Sequence, residues 1–382
     1  MTQELRAALL AGGLGLGGAE KQLVYMVREL TAADVSVRVY SLTKGEHYDA
    51  ILRAAGSKPK WIGRYQNPIL RLIALTRELR SFNPHILQST HFFANLYVAI
   101  GASLSGAISV GSMRSDAHLG LAANRFWGPI LLRAPKALVT NSFAGAKSAL
   151  RRGVSREKVH ILPNAIDLPD FDARAGIGSG EAALAGGVSA ITVARLVRSK
   201  RLDRFIQALA LARQSMPLLK GIVVGDGPQE TNLKAYAESL GLSSRGLHFV
   251  GRRTDVPTLI KAADMFVLTS DHEGCPNVLL EAMAGRLPVI STPAGDASRI
   301  VQDGITGFLL HFDDIQGVSS AMLRLAKSPE LRQKMGQAGR REVEERYSIE
   351  GLADRLLNVY RSIARQQGNS CVLTAPDSQQ PS

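Results

Sequence analysis

The amino-acid sequence predicts an α/β protein of two domains, each made of β/α/β units around a parallel sheet. Two observations carry that prediction: short apolar runs alternate with helix-patterned stretches, and the second half repeats the plan of the first. A third observation sets the division. Residues 163–187 are rich in Gly, Pro, Ala and Asp, lack periodicity and read as an interdomain connection. A chain of 382 residues is also long for a single core.

The elements follow in order. Residues 6–10 (RAALL) form an apolar strand, followed by a glycine-rich turn and a helix over 19–30 with Leu23, Val24, Val27 and Leu30 on one face. A strand at 35–41, an amphipathic helix at 68–82 and a strand at 85–88 come next. The apolar stretch 96–113 is interrupted by Gly101, Ser103, Ser105, Gly106 and Ser109, so it reads as buried strand and helix rather than a membrane span. Short apolar runs at 137–140 and 159–162 close the first half. In the second half, strands at 190–194, 221–224, 247–250, 265–269 and 288–291 are interleaved with helices at 202–213, 229–240 and 277–284. Open α/β sheets bind ligands at the carboxyl ends of their strands, so two such halves are expected to face a central cleft.

Composition is that of a folded globular chain, with 45% hydrophobic and 21% charged residues. The two cysteines, Cys275 and Cys371, provide neither metal-ligand spacing nor a disulfide framework, which points to a reducing compartment. The N-terminal residues lack a basic segment ahead of a long apolar one, so no signal peptide is expected and the expected location is cytoplasmic. The formal charge of +13 is uneven: residues 1–168 carry 21 Lys and Arg against 10 Asp and Glu, and residues 169–382 carry 25 against 23. The first half therefore suits an anionic partner (a membrane surface, a phosphorylated acceptor or nucleic acid), or else it is simply a basic solvated surface. Aromatic residues at 5%, without basic-aromatic interleaving, argue against nucleic acid.

The strongest constellation is SDHEGCPNVLLEAMA, from Ser270 to Ala284. A polar loop leaves an apolar strand and enters a helix, with Pro276 suited to the first turn. Free N–H groups at such a helix start form an anion site fit for a diphosphate. Glu273 and Glu281 can accept hydrogen bonds from sugar and ribose hydroxyls; equally, they can be a structural acid at a helix start and a surface glutamate. Upstream, Arg195 directly follows a strand and Lys200 opens the next helix, a pair placed to neutralise a departing diphosphate. Taken alone, Arg198, Lys200 and Arg201 also fit a solvated charge run.

Taken together, ARLVRSKRLDRFIQAL, VVGDGP and FVGRRTDVPTLIKAADMFVLTSDHEGCPNVLLEAMAGRLPVISTPAG resemble the retaining GT-B glycosyltransferases of family 4. That family has an Arg and a Lys five apart, a Glu-x7-Glu motif and a signature that Asp303-Gly-Ile-Thr-Gly307 resembles; Gly17 to Glu20 and ILPNAID match as well. The resemblance spans about residues 8 to 362. It implies the GT-B fold, two Rossmann-like domains at 1–168 and 169–348, with a C-terminal helix at about 349–365 rejoining the first domain; the polar composition of residues 366–382 predicts a disordered tail. The resemblance implies transfer of a sugar from a nucleotide diphospho-sugar to a carbohydrate or lipid-linked acceptor in cell-surface polysaccharide or glycolipid synthesis. A non-transferring relative, such as a nucleotide-sugar epimerase, and a membrane-surface sugar-binding scaffold are the alternatives.

By motif position the resemblance assigns Arg195 and Lys200 to the donor diphosphate and Glu273 to the donor sugar. Gly274, Cys275, Pro276, Asn277 and Val278 form the anion-binding helix start, Glu281 holds the ribose, and Arg252 flanks the base. Gly17 and Gly18 let the N-terminal backbone approach the diphosphate, since glycine has no side chain to block it. Candidates for acceptor or sugar contact are His91, Asn95, Arg114 and His118, with Asp116 beside them; a satisfied His and a cap-like Asn are the competing readings for His91 and Asn95. Ala165 and Gly285-Arg286 depart mildly from the family pattern.

No metal or other cofactor is expected. The pair Asp170 and Asp172 looks like the metal-binding D-x-D of another glycosyltransferase fold, but it lies in the interdomain connection and not at a strand end. The N-terminal loop also contains Gly13-x-Gly15-x-x-Gly18, formally a dinucleotide fingerprint, but Val39 to Leu42 offer no acidic residue for a ribose. Helix 68–82 combines apolar residues with Arg71, Arg77 and Arg80, and residues 124–133 place Trp127 between arginines; either can lie on a membrane, and an ordinary packed helix is the favoured reading for the first.

Overall fold

The computed structural model describes residues 4–114, 127–176, 187–242 and 246–368. It divides into two compact units, Met1–Ala165 with Ile349–Ser382, and Ile166–Ser348. The first unit is built on a parallel seven-stranded sheet of order β3-β2-β1-β4-β5-β6-β7. Its strands are β1 (Arg6–Ala11), β2 (Ser36–Ser41), β3 (Lys60–Trp61), β4 (Ile86–Ser89), β5 (Ile108–Met113), β6 (Ala137–Thr140) and β7 (Val159–Ile161). Burial on both faces explains why the strands read as continuous apolar runs.

Helices α1 (Gly18–Ala32) and α2 (His47–Ala54) share one face of this sheet with the C-terminal helix Leu352–Gln366, packing through Leu23, Val27, Leu52, Leu356 and Tyr360. The Tyr360 hydroxyl donates to Gln88 Oε1 at 2.6 Å, tying the C-terminal helix to β4, and burial pushes its pKa up. The opposite face carries α3 (Pro68–Phe82), α4 (Asn95–Ser105), α5 (Gly128–Arg133) and α6 (Phe143–Arg151). This is the outcome of right-handed crossovers that reverse direction after β3. Asn67 caps α3 by accepting from Ile69 N–H, and Asn83 ends it in the left-handed conformation.

The second unit repeats the plan with a six-stranded parallel sheet of order β10-β9-β8-β11-β12-β13. Here β8 is Ser189–Val193, β9 Lys220–Val224, β10 Leu247–Phe249, β11 Met265–Leu268, β12 Val289–Ser291 and β13 Gly307–Leu309. The Asp303 to Gly307 signature is the turn that opens β13: Gly304 has φ +73°, and Asp303 Oδ1 accepts the Leu309 N–H at 2.9 Å. Arg286 adopts φ +59°, a left-handed conformation that glycine takes at lower cost.

One expectation needs correcting. The stretch read as an aperiodic connection contains a helix, α7 (Leu168–Ala175), that buries Leu168, Phe171 and Ala175 in the second domain's core. Asp167 caps it by accepting from Asp170 N–H at 3.0 Å, and its proline sits in the first turn, where no N–H is missed. Asp172 forms a bidentate pair with the buried Arg340, at 2.9 and 2.8 Å, and Asp170 pairs with Arg174, so both carboxylates serve the scaffold. Of the expected tail, Gln366 is the last residue of the C-terminal helix, and residues 369–382, Cys371 among them, lie outside the described residues, as do residues 177–186 of the connection.

Candidate functional site

In the second domain the strand order reverses between β8 and β11, the place where open α/β sheets form a ligand crevice. The loops leaving these two strands are stitched together: Asp271 N–H donates to Ser199 O at 2.9 Å, and Thr269 Oγ1 donates to Arg201 O at 2.9 Å. The stitching brings two predicted residues into contact. Lys200 Nζ donates to Glu273 Oε1 at 2.6 Å, and Ser270 Oγ donates to the same oxygen at 2.7 Å. Glu273 is buried, while Lys200 keeps a quarter of its side chain exposed (24% against 6% for its partner). Among the described residues the second oxygen, Oε2, accepts no hydrogen bond. The glutamate thus anchors the lysine with one oxygen and leaves the other able to accept a further hydrogen bond.

Helix α8 (Asn277–Ala284) starts immediately beyond this loop. Pro276 is its N-cap and not its first-turn residue, and the start carries no side-chain cap. Because proline has no N–H, the backbone donors of this segment come from its neighbours, Gly274, Cys275, Asn277 and Val278. Gly274 and Cys275 are buried, and Glu281 is half-buried one turn into the helix. Arg195 is exposed after β8, and Arg252 is exposed after β10; among the described residues neither forms a hydrogen bond or ion pair with Lys200 or Glu273.

The first domain reverses order between β1 and β4. The glycine-rich loop after β1 meets His91 after β4: Gly12 N–H donates to His91 Nδ1 at 3.1 Å, and His91 Nε2 lies 3.1 Å from Glu20 Oε1. With Nδ1 accepting, Nε2 carries the proton and donates to the carboxylate. A Cβ on Gly17 would fall 2.3 Å from Glu20 Oε2, the tip of a side chain that can turn away, so the Glu20 carboxylate lies against this glycine without requiring it. Glu46 accepts from Leu14 N–H and Thr43 Oγ1. The protein's own carboxylate therefore sits on the loop whose spacing resembled a dinucleotide fingerprint.

Asn95 corrects an expectation. It is fully buried, its Oδ1 accepts from Ser89 Oγ at 2.6 Å and Ser112 N–H at 2.8 Å, and its Nδ2 donates to the Ser112 and Leu131 carbonyls. Its whole hydrogen-bonding capacity joins β4, β5 and α5, leaving none for an acceptor. Arg114, after β5, donates to Asn164 Oδ1 at 2.5 Å beyond β7, with Asn141 3.4 Å away from the same oxygen. Asp116 and His118 lie outside the described residues.

Residues 16–169 match the family model described as Glycosyltransferase Family 4, and residues 186–342 match the one described as Glycosyl transferases group 1. The chain belongs to the group 1 glycosyltransferases. Among curated relatives, the N-acetyl-alpha-D-glucosaminyl L-malate synthase of Bacillus anthracis is 31% identical over 179 residues, covering 47% of this chain and 46% of the relative. A GDP-mannose-dependent monoacylated alpha-(1-6)-phosphatidylinositol monomannoside mannosyltransferase of Corynebacterium glutamicum is 32% identical over 180 residues, covering 45% and 46%. The chain thus spans about half the length of these relatives. The Anabaena HepE structure in complex with UDP-glucose superposes with a TM-score of 0.82 at 20% identity, covering 94% of this chain and 100% of that one. The fold is GT-B, with two Rossmann-like domains.

Several residues that shape this glycosyltransferase's site carried no signal of their own. Arg204 is buried below the Glu273 loop and donates to Thr269 O at 3.1 Å, Asp271 Oδ1 at 2.6 Å and Asp313 Oδ1 at 2.8 Å, which holds the Asp313 carboxyl below its usual range. Gly295, at φ +60°, lies against the other side of that loop; a Cβ there would fall 2.3 Å from Glu273 O. Gly225, at φ +132°, does the same for the Arg195 segment, where a Cβ would fall 1.9 Å from Ala194 O. Glycine is required at both positions by a close backbone approach as well as by the dihedral.

Proposed function

We propose that this glycosyltransferase moves a sugar from a nucleotide diphospho-sugar to a hydroxyl of a carbohydrate or lipid-linked acceptor, with retention at the anomeric carbon. The observation that carries the reading is the Lys200–Glu273–Ser270 contact at the strand-order reversal, beside a helix start without a side-chain cap. One cation and a row of backbone donors there match the two phosphates of a leaving group, and a buried carboxylate with a spare oxygen matches a sugar hydroxyl. Family membership supports the same chemistry. Relatives named for sugar transfer, and a structural neighbour holding UDP-glucose, support a nucleotide-sugar donor.

In this reading Lys200, Arg195 and the helix start act on the diphosphate as negative charge grows on it, so they speed the step more than they tighten donor binding. The departing diphosphate takes the proton of the acceptor hydroxyl on the same face of the sugar, and no metal is needed. Glu281 holds the ribose, and the product enters cell-surface polysaccharide or glycolipid at the cytoplasmic side of the membrane. The test is turnover with a panel of UDP-, GDP- and ADP-sugars, with the anomeric configuration of the product read by NMR. One donor series is expected to be consumed with retention. A product of inverted configuration overturns the retaining reading, and no transfer from any donor overturns the function.

A further inference from the structure

The helix-covered face formed by α3, α4, α5 and α6 differs from the rest of the molecule in charge and polarity. Residues 57–166 carry 15 Lys and Arg against 3 Asp and Glu, nearly the whole of the chain's net +13. Between Glu78 and Glu157 the sequence has nine basic residues and a single acid, Asp116. Glu78 itself is paired with Lys60. The same stretch is apolar where it meets solvent: of sixteen exposed large apolar side chains among the described residues, eleven lie between Trp61 and Leu150. On α3, Ile69 is 68% exposed and Leu70 and Ile73 stand beside it; Trp127, at 61%, leads into α5 with Ile130. An ordinary outer helix of a doubly wound domain mixes both signs of charge and buries its apolar stripe. This face carries almost no acid and, besides the stripe that it buries through Leu75, Leu79, Val98 and Ala102, leaves further apolar side chains exposed.

An open groove of about 510 Å³ runs along α4 and is lined by Ala99, Ile100, Leu104, Gly106, Ala134 and Lys136. It reaches the amino ends of β5 and β6, whereas His91 and Arg114 follow the carboxyl ends of β4 and β5. Its lining combines small residues with the exposed aliphatics Ile100 and Leu104. Three cations lie in or next to this lining: Lys136 within it, Arg80 donating to Leu104 O at 3.2 Å, and Arg133, next in sequence to Ala134, donating to Arg152 O at 2.6 Å. Apolar surface with cations in and beside it, and no acid in its lining, is complementary to an anionic lipid bilayer, whose headgroups meet the cations and whose acyl region meets the aliphatics.

We propose that this face docks on an anionic membrane surface, with the α4–α5 groove and its cations as the principal contact. The proposal rests on the proposed transfer only for its purpose, which is to present a lipid-linked acceptor. Docking is therefore measured apart from turnover, by sedimentation of the full chain with vesicles of phosphatidylcholine alone or with about one third phosphatidylglycerol. The chain is expected to sediment with the anionic vesicles only, and to be released as salt rises. Arg133→Gln with Lys136→Gln should weaken binding about 25-fold, since each cation near the surface is worth about fivefold. Ile100→Asn with Leu104→Asn should also weaken it. Both variants should keep the wild-type melting temperature and full turnover of a water-soluble acceptor. Leu218→Asn, on the second domain, should bind as wild type. Equal binding to neutral vesicles, no binding to either, unchanged binding by both double variants, or a wild-type dimer that the Asn pair dissociates overturns the proposal.

Discussion

Replacing Lys200 with methionine lowers kcat by about 10²–10³-fold, the range found when one donor to a developing oxyanion is removed. Lys200 is the cation that the structure holds at the reversal of strand order, 2.6 Å from Glu273. Its charge meets the diphosphate most strongly as that group departs, so the loss falls on kcat and the donor KM changes less. The substitution has a second consequence, because it leaves the Glu273 carboxylate buried with only Ser270 as partner. Breaking such a pair is costly, so the melting temperature should fall as well. Glu273→Gln separates the two effects: it removes the ion pair, keeps the shape, and leaves Lys200 available to the phosphates. Steady-state kinetics on the two variants, with their melting curves, check the assignment. Equal kcat in Lys200→Met and wild type would falsify it.

Gly225→Ala carries the largest expected cost in stability. At φ +132° any side chain is strained, and here the new Cβ would sit 1.9 Å from the Ala194 carbonyl oxygen, a backbone atom with no freedom to rotate away. Strain and overpacking together come to about 3 kcal/mol. That lowers the melting temperature of the second domain by roughly 6–12 °C. The displaced Ala194 is directly followed by Arg195, so the donor KM should rise in parallel. Gly241→Ala is the control. It has φ +73° with nothing within 4 Å, so it bears the dihedral cost without the clash. If the two variants melt alike, the close approach at Gly225 has no energetic weight.

The contrast between Lys200 and Gly225 shows which parts of the site were legible in the sequence. Lys200, Glu273 and the helix start could be read because their residue types are unusual at strand ends and their spacing is local. Arg204, Gly225, Gly295 and Glu46 act on segments distant in sequence, through a carbonyl or an N–H that only folding brings near. Nothing in their neighbours signals this. Asn95 was open to misreading for the same reason: a polar residue near a strand end looks available until the bonds to Ser89, Ser112 and Leu131 are seen. Most of the fold was legible because strands buried on both faces leave continuous apolar runs. Helix α7 was not, because the aspartates and proline that cap and start it resemble loop composition, and its three buried residues are too few to stand out. The apolar, cationic face around α4 was legible as charge but not as exposure. Whether Ile100 or Trp127 is buried is decided by the neighbours that the topology supplies.

The most direct test of the donor site uses the leaving group itself. A free nucleoside diphosphate carries the charge that grows on the donor as its bond breaks, so its affinity reports on the contacts assigned to Lys200. Calorimetric titration of UDP, GDP and ADP into the wild-type chain and Lys200→Met is expected to show one of the three binding the wild type. The variant should bind that nucleotide at least about tenfold more weakly, a difference of about 1.4 kcal/mol. Binding of none of the three, or equal affinity in the two proteins, would contradict a diphosphate site at Lys200 and Glu273.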